Sequence, residues 1–213
     1  MSYKTCLFDM DGTVLDTVAD LADAVNHTLT GYGYPARSVQ QVKDATGNGA
    51  RELIAHSLHD GEATPDFENI LAEYKAWYAD HTCVETAPYP GIPALLEKLR
   101  RDGVQVAIVS NKPDKAAKIL AERFFPGIPT FGETADIPRK PAPDMVYHAA
   151  KKLGASLDGT VYIGDSEVDV QTARNAGVDL VAVSWGFRGR ERLKIAGAER
   201  IADTVAELYD LVK

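Results

Sequence analysis

Phe8-Asp9-Met10-Asp11-Gly12-Thr13 follows directly on the apolar run Cys6-Leu7-Phe8 and sets two carboxylates two residues apart ahead of a glycine. In an uninterrupted strand, residues two apart point the same way, which would crowd two like charges on one side. Gly12 offers backbone angles closed to other residues, so the chain is expected to turn just after Asp9 and bring both acids round one point. Neighbouring carboxylates repel unless they hold a cation or share a proton. The stretch reads either as a reactive, cation-binding strand end or as an Asx turn that closes a strand, and other segments must decide between the two.

With 213 residues, 45% hydrophobic and 25% charged, the chain can form one full domain with an insertion, or two small domains. A net charge of -8 argues against nucleic acid or an anionic membrane as main partner, so an anionic substrate requires a local cationic pocket. The longest apolar runs, Val104 to Val109 and Leu180 to Val183, are too short to span a bilayer, and Met1-Ser2-Tyr3-Lys4 reads as the approach to a strand rather than a signal peptide. A cytoplasmic location is expected. Cys6 and Cys83 lack paired spacing, which predicts two reduced thiols and neither a disulfide framework nor a thiolate metal site.

From Val104 onward, apolar strand-like runs alternate with helical patterns: 104–109 then 114–124, 160–163 then 168–176, 180–183 then 204–212. That alternation predicts an α/β fold with a doubly wound parallel sheet and helices on both faces. Ile92 to Arg101 reads as a helix entering this sheet, closed by Gly103. Between Asp16 and Pro88 only helical periodicity is seen, over 18–29, 50–58 and 67–78. We therefore expect a core of residues 1–15 and 89–213, and a helical domain of residues 16–88 inserted through hinges at 14–17 and 82–90. Ligands of such sheets bind beyond the carboxyl ends of the strands. Asp9, Ser110 and Asp165 each follow a strand-like run, so three polar groups converge on one rim.

In Ser110-Asn111-Lys112 a small hydroxyl precedes a helix entered through Pro113, where it can donate to an anion or, more simply, cap the helix. Arg139-Lys140-Pro141-Ala142-Pro143-Asp144 presents a lysine ahead of a Pro-x-Pro that fixes the backbone, giving an ammonium able to neutralise a carboxylate and a phosphoryl group. Gly164-Asp165-Ser166-Glu167-Val168-Asp169 sets one acid at a strand end and another in the first helical turn. Asp165 can share a cation with Asp9, and Asp169 can orient its water shell. Glu167 reads as an acid favoured by the helix N-terminus, a reading not extended to Asp169. Magnesium suits these hard oxygen donors. His27, His56, His59, His81 and His148 have no zinc-ligand spacing, Tyr74, Trp77 and Tyr78 read as helix packing, and Lys98, Arg100 and Arg101 as a solvated helix end.

Taken in order, Asp9-x-Asp11-Gly12-Thr13, Ser110-Asn111, Lys140-Pro141 and Gly164-Asp165-x-x-x-Asp169 resemble the four signature motifs of the haloacid dehalogenase superfamily. The insertion after the first motif resembles members with an α-helical cap, and the likeness runs over essentially the whole chain. Within the superfamily the chain is most similar to phosphoglycolate phosphatases, through Phe8 to Thr17, Gly47-Asn48-Gly49-Ala50, Lys140-Pro141-Ala142-Pro143 and Ser184-Trp185-Gly186.

The resemblance implies a Rossmann-like core, a helical-bundle cap, and a magnesium-dependent phosphatase acting on a small phosphomonoester, phosphoglycolate first. Asp9 would be the nucleophile and Asp11 the acid and base, with Ser110 and Lys140 on the phosphoryl oxygens. Mg2+ would sit among Asp9, Asp11 through its backbone carbonyl, and Asp165, with Asp169 behind. Thr13 and Asn111 would contact substrate, as would Asn48, Gly49 and Arg51 of the cap, although Arg51 also reads as a surface arginine. The expected partner is a small phosphorylated metabolite, with no nucleic acid or membrane, bound by a monomer or homodimer. A dehalogenase or phosphonatase is disfavoured by the aspartate at position 11. A sugar-phosphate mutase of the β-phosphoglucomutase type and a non-enzymatic phosphate-responsive module are the alternatives.

Overall fold

The computed structural model describes residues 3–213, so Met1 and Ser2 of the leading stretch read above lie outside the described residues. The elements run β1 Thr5–Phe8, β2 Leu15–Asp16, α1 Val18–Gly31, α2 Val39–Ala45, α3 Gly49–Ser57, α4 Phe67–Asp80, β3 Ala87–Pro88, α5 Ile92–Arg101 and β4 Gln105–Pro113. They continue with α6 Asp114–Phe124, β5 Thr130–Glu133, α7 Asp144–Leu153, β6 Thr160–Gly164, α8 Glu167–Ala176, β7 Asp179–Val183, α9 Gly189–Ile195, β8 Ile201–Ala202 and α10 Val205–Val212. Two compact units result: one runs to Asp16 and resumes at Pro88, and the other spans Thr17–Ala87.

In the first unit six strands form a sheet of order β5-β4-β1-β6-β7-β8, every named pair parallel. The chain steps outward from β1 to β4 to β5 and then crosses back to β6 on the other flank of β1. The order reverses beside β1, which makes its carboxyl end the crevice of the sheet. Phe8 is in register with Ile108 on one side and Ile163 on the other, so Asp9 emerges between two fully buried neighbours. Leu7, Ala107, Val109 and Tyr162 pack on one face with Met145, Val146 and Ala149 of α7 and Ala173 and Ala176 of α8. Helix α5 ends as the sequence requires: Gly103 takes φ 78°, its N–H reaches the Arg100 carbonyl, and the Val104 N–H reaches that of Leu99.

Strand β4 departs from expectation. It does not stop at Val109 but carries Ser110, Asn111 and Lys112 as strand residues to Pro113, all three buried. Polar side chains mimic a loop in the sequence, yet here they remain in the strand, because partners described below satisfy them.

The second unit is built on α1 to α4, with Leu21, Val25, Leu29, Val42, Leu53, Ile54, Phe67, Ile70, Leu71, Tyr74 and Tyr78 in one apolar cluster. Buried Asp20 of α1 fastens the returning chain by accepting from the N–H groups of Val84, Glu85 and Thr86 at 2.8–3.0 Å and from the Thr86 hydroxyl at 2.7 Å. Among the described residues no helix is long and apolar enough to cross a membrane.

Candidate active site

Local backbone geometry builds the first loop. The Met10 carbonyl accepts from the N–H groups of Thr13, Val14 and Leu15 at 3.3, 3.1 and 3.0 Å, and Gly12 adopts φ 82°. The chain therefore turns sharply just past Asp9, whose own N–H donates to the Ile163 carbonyl of β6 at 2.8 Å. Gly164 ends β6 so close to α8 that a Cβ there would stand 2.3 Å from the Asp169 side chain.

At the centre lies Lys140, whose Nζ stands 2.7 Å from Asp9 Oδ1, 2.8 Å from Asp169 Oδ1 and 3.0 Å from the Tyr162 hydroxyl. Asn111 fixes this lysine from β4: its amide donates to the Lys140 carbonyl at 2.9 Å and its oxygen accepts the Lys140 N–H at 2.8 Å. Asn111, expected to meet substrate, holds the backbone that delivers the ammonium. Thr13, also expected to meet substrate, donates through its hydroxyl to Asp165 Oδ1 at 3.1 Å. Ser110 is buried two residues past the register partner of Phe8, and its hydroxyl accepts the Lys112 N–H at 3.2 Å.

Asp169 has two duties. Its Oδ2 accepts from the Ser166 N–H and hydroxyl at 3.1 and 2.6 Å in a capping box that starts α8, while Oδ1 faces Lys140. The helix-start role set aside for Asp169 is thus present alongside the site role, because the two oxygens point to different partners. Glu167 pairs with Arg188 at 2.9 Å.

Asp9, Asp165 and Asp169 each offer a carboxylate oxygen within 4.8 Å of the others, all buried. Three carboxylates there face one ammonium, leaving two charges unbalanced. Burial, with Asp169 close by, pushes Asp9 up to about 7 even against the pull of Lys140. Burial, with Asp169 and Asp9, likewise raises Asp165 well above the carboxylate range. For Lys140 burial acts downward, but Asp169 and Asp9 outweigh it and hold the ammonium above its ordinary value. A set of hard oxygens that lacks two positive charges fits a small divalent cation. The Asp11 carboxylate is not in this group: it lies 3.0 Å from Lys112 Nζ.

Lys112 is the residue that sequence reading missed. It was quoted only as the tail of Ser110-Asn111, and a lysine in a polar run carries no sign that β4 continues and buries it. Phe187 was missed as well, and Trp185 was read only as part of the resemblance in Ser184-Trp185-Gly186: the Trp185 indole donates to the Thr13 carbonyl at 3.1 Å and the Phe187 N–H to Asp165 Oδ2 at 2.7 Å.

The helical-unit residues are placed differently. Asn48 is the residue ahead of α3, without a side-chain cap bond, and Gly49 opens the helix at φ 83°. Arg51 is taken up inside its own unit, by Glu62 at 2.6 Å and by both oxygens of Glu68 at 2.7 and 2.8 Å, over the Phe67 ring.

The model of the haloacid dehalogenase-like hydrolase family matches residues 6–183. Among curated relatives, phosphoglycolate phosphatase 1 of Pseudomonas aeruginosa is 33% identical over 96% of this chain and 78% of its own length. N-acetylmuramic acid 6-phosphate phosphatase of the same organism is 31% identical over 100% of this chain and 96% of its own. A crystal structure from Lactobacillus delbrueckii subsp. bulgaricus, proposed to be a phosphoglycolate phosphatase, superposes with a TM-score of 0.92 at 40% identity, covering 100% of this chain and 99% of that one. With the match spanning most of its length and the motif residues gathered at one sheet end, the chain belongs to the haloacid dehalogenase-like hydrolase family.

Proposed function

We propose that this protein is a magnesium-dependent phosphatase that hydrolyses a small phosphomonoester through an aspartyl-phosphate on Asp9, with phosphoglycolate the leading substrate. The observation that carries this reading is the Lys140 ammonium fixed between Asp9 and Asp169 beside Asp165. A cation rigidly placed at a carboxylate nucleophile can receive a phosphoryl oxygen without reorganising, which is the main source of catalysis in phosphoryl transfer.

In the first step an Asp9 oxygen attacks phosphorus, the bond from phosphorus to the ester oxygen breaks, and Asp11 gives that oxygen a proton. In the second, Asp11 takes a proton from a water that attacks the phosphorus, and Asp9 leaves as a carboxylate. Ser110 and Lys140 hold the equatorial phosphoryl oxygens throughout. Asp9 and Asp165 would hold the magnesium ion, with Asp169 supporting its water shell. Bound there, the ion balances the clustered carboxylates and the charge on the phosphoryl oxygens.

Both relatives from Pseudomonas aeruginosa are named for a phosphate monoester that also carries a carboxylic acid. That shared chemistry supports a phosphorylated carboxylic acid as the substrate class. The second name has its own support, because that relative aligns over nearly its full length. Phosphate release with magnesium, compared as kcat/KM for phosphoglycolate, N-acetylmuramic acid 6-phosphate and a hexose 1-phosphate, tests the proposal. Phosphoglycolate should rank first. Isomerisation of the hexose phosphate without phosphate release, or no phosphate from any of them, would overturn it.

A further inference from the structure

The turn after β7 makes two contacts with the acidic site, and one of them is relayed to Asp165 through Thr13. The Phe187 N–H donates to Asp165 Oδ2 at 2.7 Å, the Trp185 indole N–H donates to the Thr13 carbonyl at 3.1 Å, and the Thr13 hydroxyl donates in turn to Asp165 Oδ1 at 3.1 Å. Between the first two residues lies Gly186. A Cβ on Gly186 would stand 2.4 Å from Asp165 Oδ2 and 2.3 Å from the Gly12 carbonyl oxygen. Gly186 is outside the positive-φ region, so close approach alone keeps a side chain off this position.

Gly12 presses on the same carboxylate, since a Cβ there would lie 2.4 Å from the same Asp165 oxygen. Asp165 is thus crowded by two glycine backbones while a donor occupies each oxygen. The following residue anchors the turn: buried Arg188 donates to Glu167 Oε2 at 2.9 Å, at the start of α8.

A carboxylate crowded by the charges of Asp9 and Asp169 would otherwise relieve repulsion by rotating away. Resting on the phosphatase reading above, we propose that Trp185-Gly186-Phe187 is a clamp that fixes the Asp165 carboxylate in the orientation a divalent cation requires. Gly186 and Trp185 are positioning residues within it. The clamp acts through backbone and through the indole N–H, without touching substrate.

Calorimetric titration of magnesium chloride into the metal-free full-length protein tests this, with thermal melting of the same samples. Outer residues that orient metal ligands typically set affinity by about 10- to 100-fold, and that is the loss expected for Gly186→Ala. Trp185→Phe keeps an aromatic side chain and removes one hydrogen bond, so its loss should be about threefold to tenfold, with the metal-free melting temperature nearly unchanged. A purely structural turn would give the reverse pattern, a lower melting temperature with unaltered magnesium affinity, and that result would overturn the clamp. Should Gly186→Ala not fold, Trp185→Phe decides by the same criterion. Asp165→Asn should abolish the titration, and a wild-type protein that binds no magnesium also overturns the clamp. Wild-type protein that binds magnesium through Asp165 yet releases nothing from p-nitrophenyl phosphate would refute the phosphatase reading and leave the clamp standing.

Discussion

The Lys112 ammonium lies 3.0 Å from the Asp11 carboxylate, with the lysine side chain 2% exposed and the aspartate 13%. Lys140 stands against the other acid, Asp9, so the two acids of the first motif meet two different cations. Asp9 faces Lys140 from one end of the loop and Asp11 faces Lys112 from the other. The division matches the division of labour proposed for them, one acid attacking phosphorus and the other moving protons.

If Lys112 positions the proton donor, its loss should show most where a proton is needed most. Lys112→Met is expected to lower kcat for an alkyl phosphate by about 100-fold, the lower end of what general acid catalysis contributes. The loss on p-nitrophenyl phosphate, whose leaving group needs little protonation, should be much smaller. Equal losses on both substrates would show that Lys112 serves another purpose.

Asp9→Asn should abolish turnover and leave the far-ultraviolet circular dichroism unchanged. Its effect on stability has a defined sign. The Asp9 carboxyl is pushed up to about 7 from an ordinary 3.8, so between those values the native protein holds a proton that the unfolded chain lacks. The stability this group contributes is complete below the lower value and lost as pH rises through the upper one. Metal-free wild-type protein should lose stability from Asp9 as pH rises across that window, and Asp9→Asn should remove that part of the slope. Urea unfolding from about pH 5 to about pH 8 checks this. Parallel pH profiles for the two proteins would contradict it.

Removing the cation from a buried network costs more than removing a pair outright. Lys140→Met leaves Asp9 and Asp169 facing each other, and a loss of about 3–5 kcal/mol in unfolding free energy is expected. Added magnesium should recover part of it in urea titrations. A variant as stable as wild type would mean that the acids are already relieved by another route.

Arg51 is engaged by Glu62 and Glu68 on an exposed surface. Such exposed pairs add little, so Arg51→Ala should shift melting slightly and leave KM for phosphoglycolate within about twofold. A large rise in KM would return Arg51 to the role of substrate contact.

Much of the fold was legible because β1, β4, β6 and β7 are apolar runs and α5, α6, α8 and α10 carry clear periodicity, whereas α9, with Leu193 its one buried residue, was missed. Strands β5 and β8 were missed, being edge strands of four and two residues without an apolar run. Helix α2 was missed for a similar reason: Val42 is its one buried residue, which leaves no stripe to detect. At the site, Asp9, Lys140, Asp165 and Asp169 were readable as charged residues in unusual places. Lys112 was hidden by a strand that continues through polar residues. The turn at Gly186 was visible only as a likeness in Ser184-Trp185-Gly186, since its contribution is a missing Cβ and a backbone N–H, and neither leaves a side-chain signal.

In the proposed mechanism Asp9 attacks phosphorus before water does. The stereochemical course at an isotopically chiral phosphate ester tests this most directly, because each displacement inverts phosphorus once. Two displacements, through Asp9 and then water, predict net retention. Net inversion would mean a single attack by water and would contradict the account.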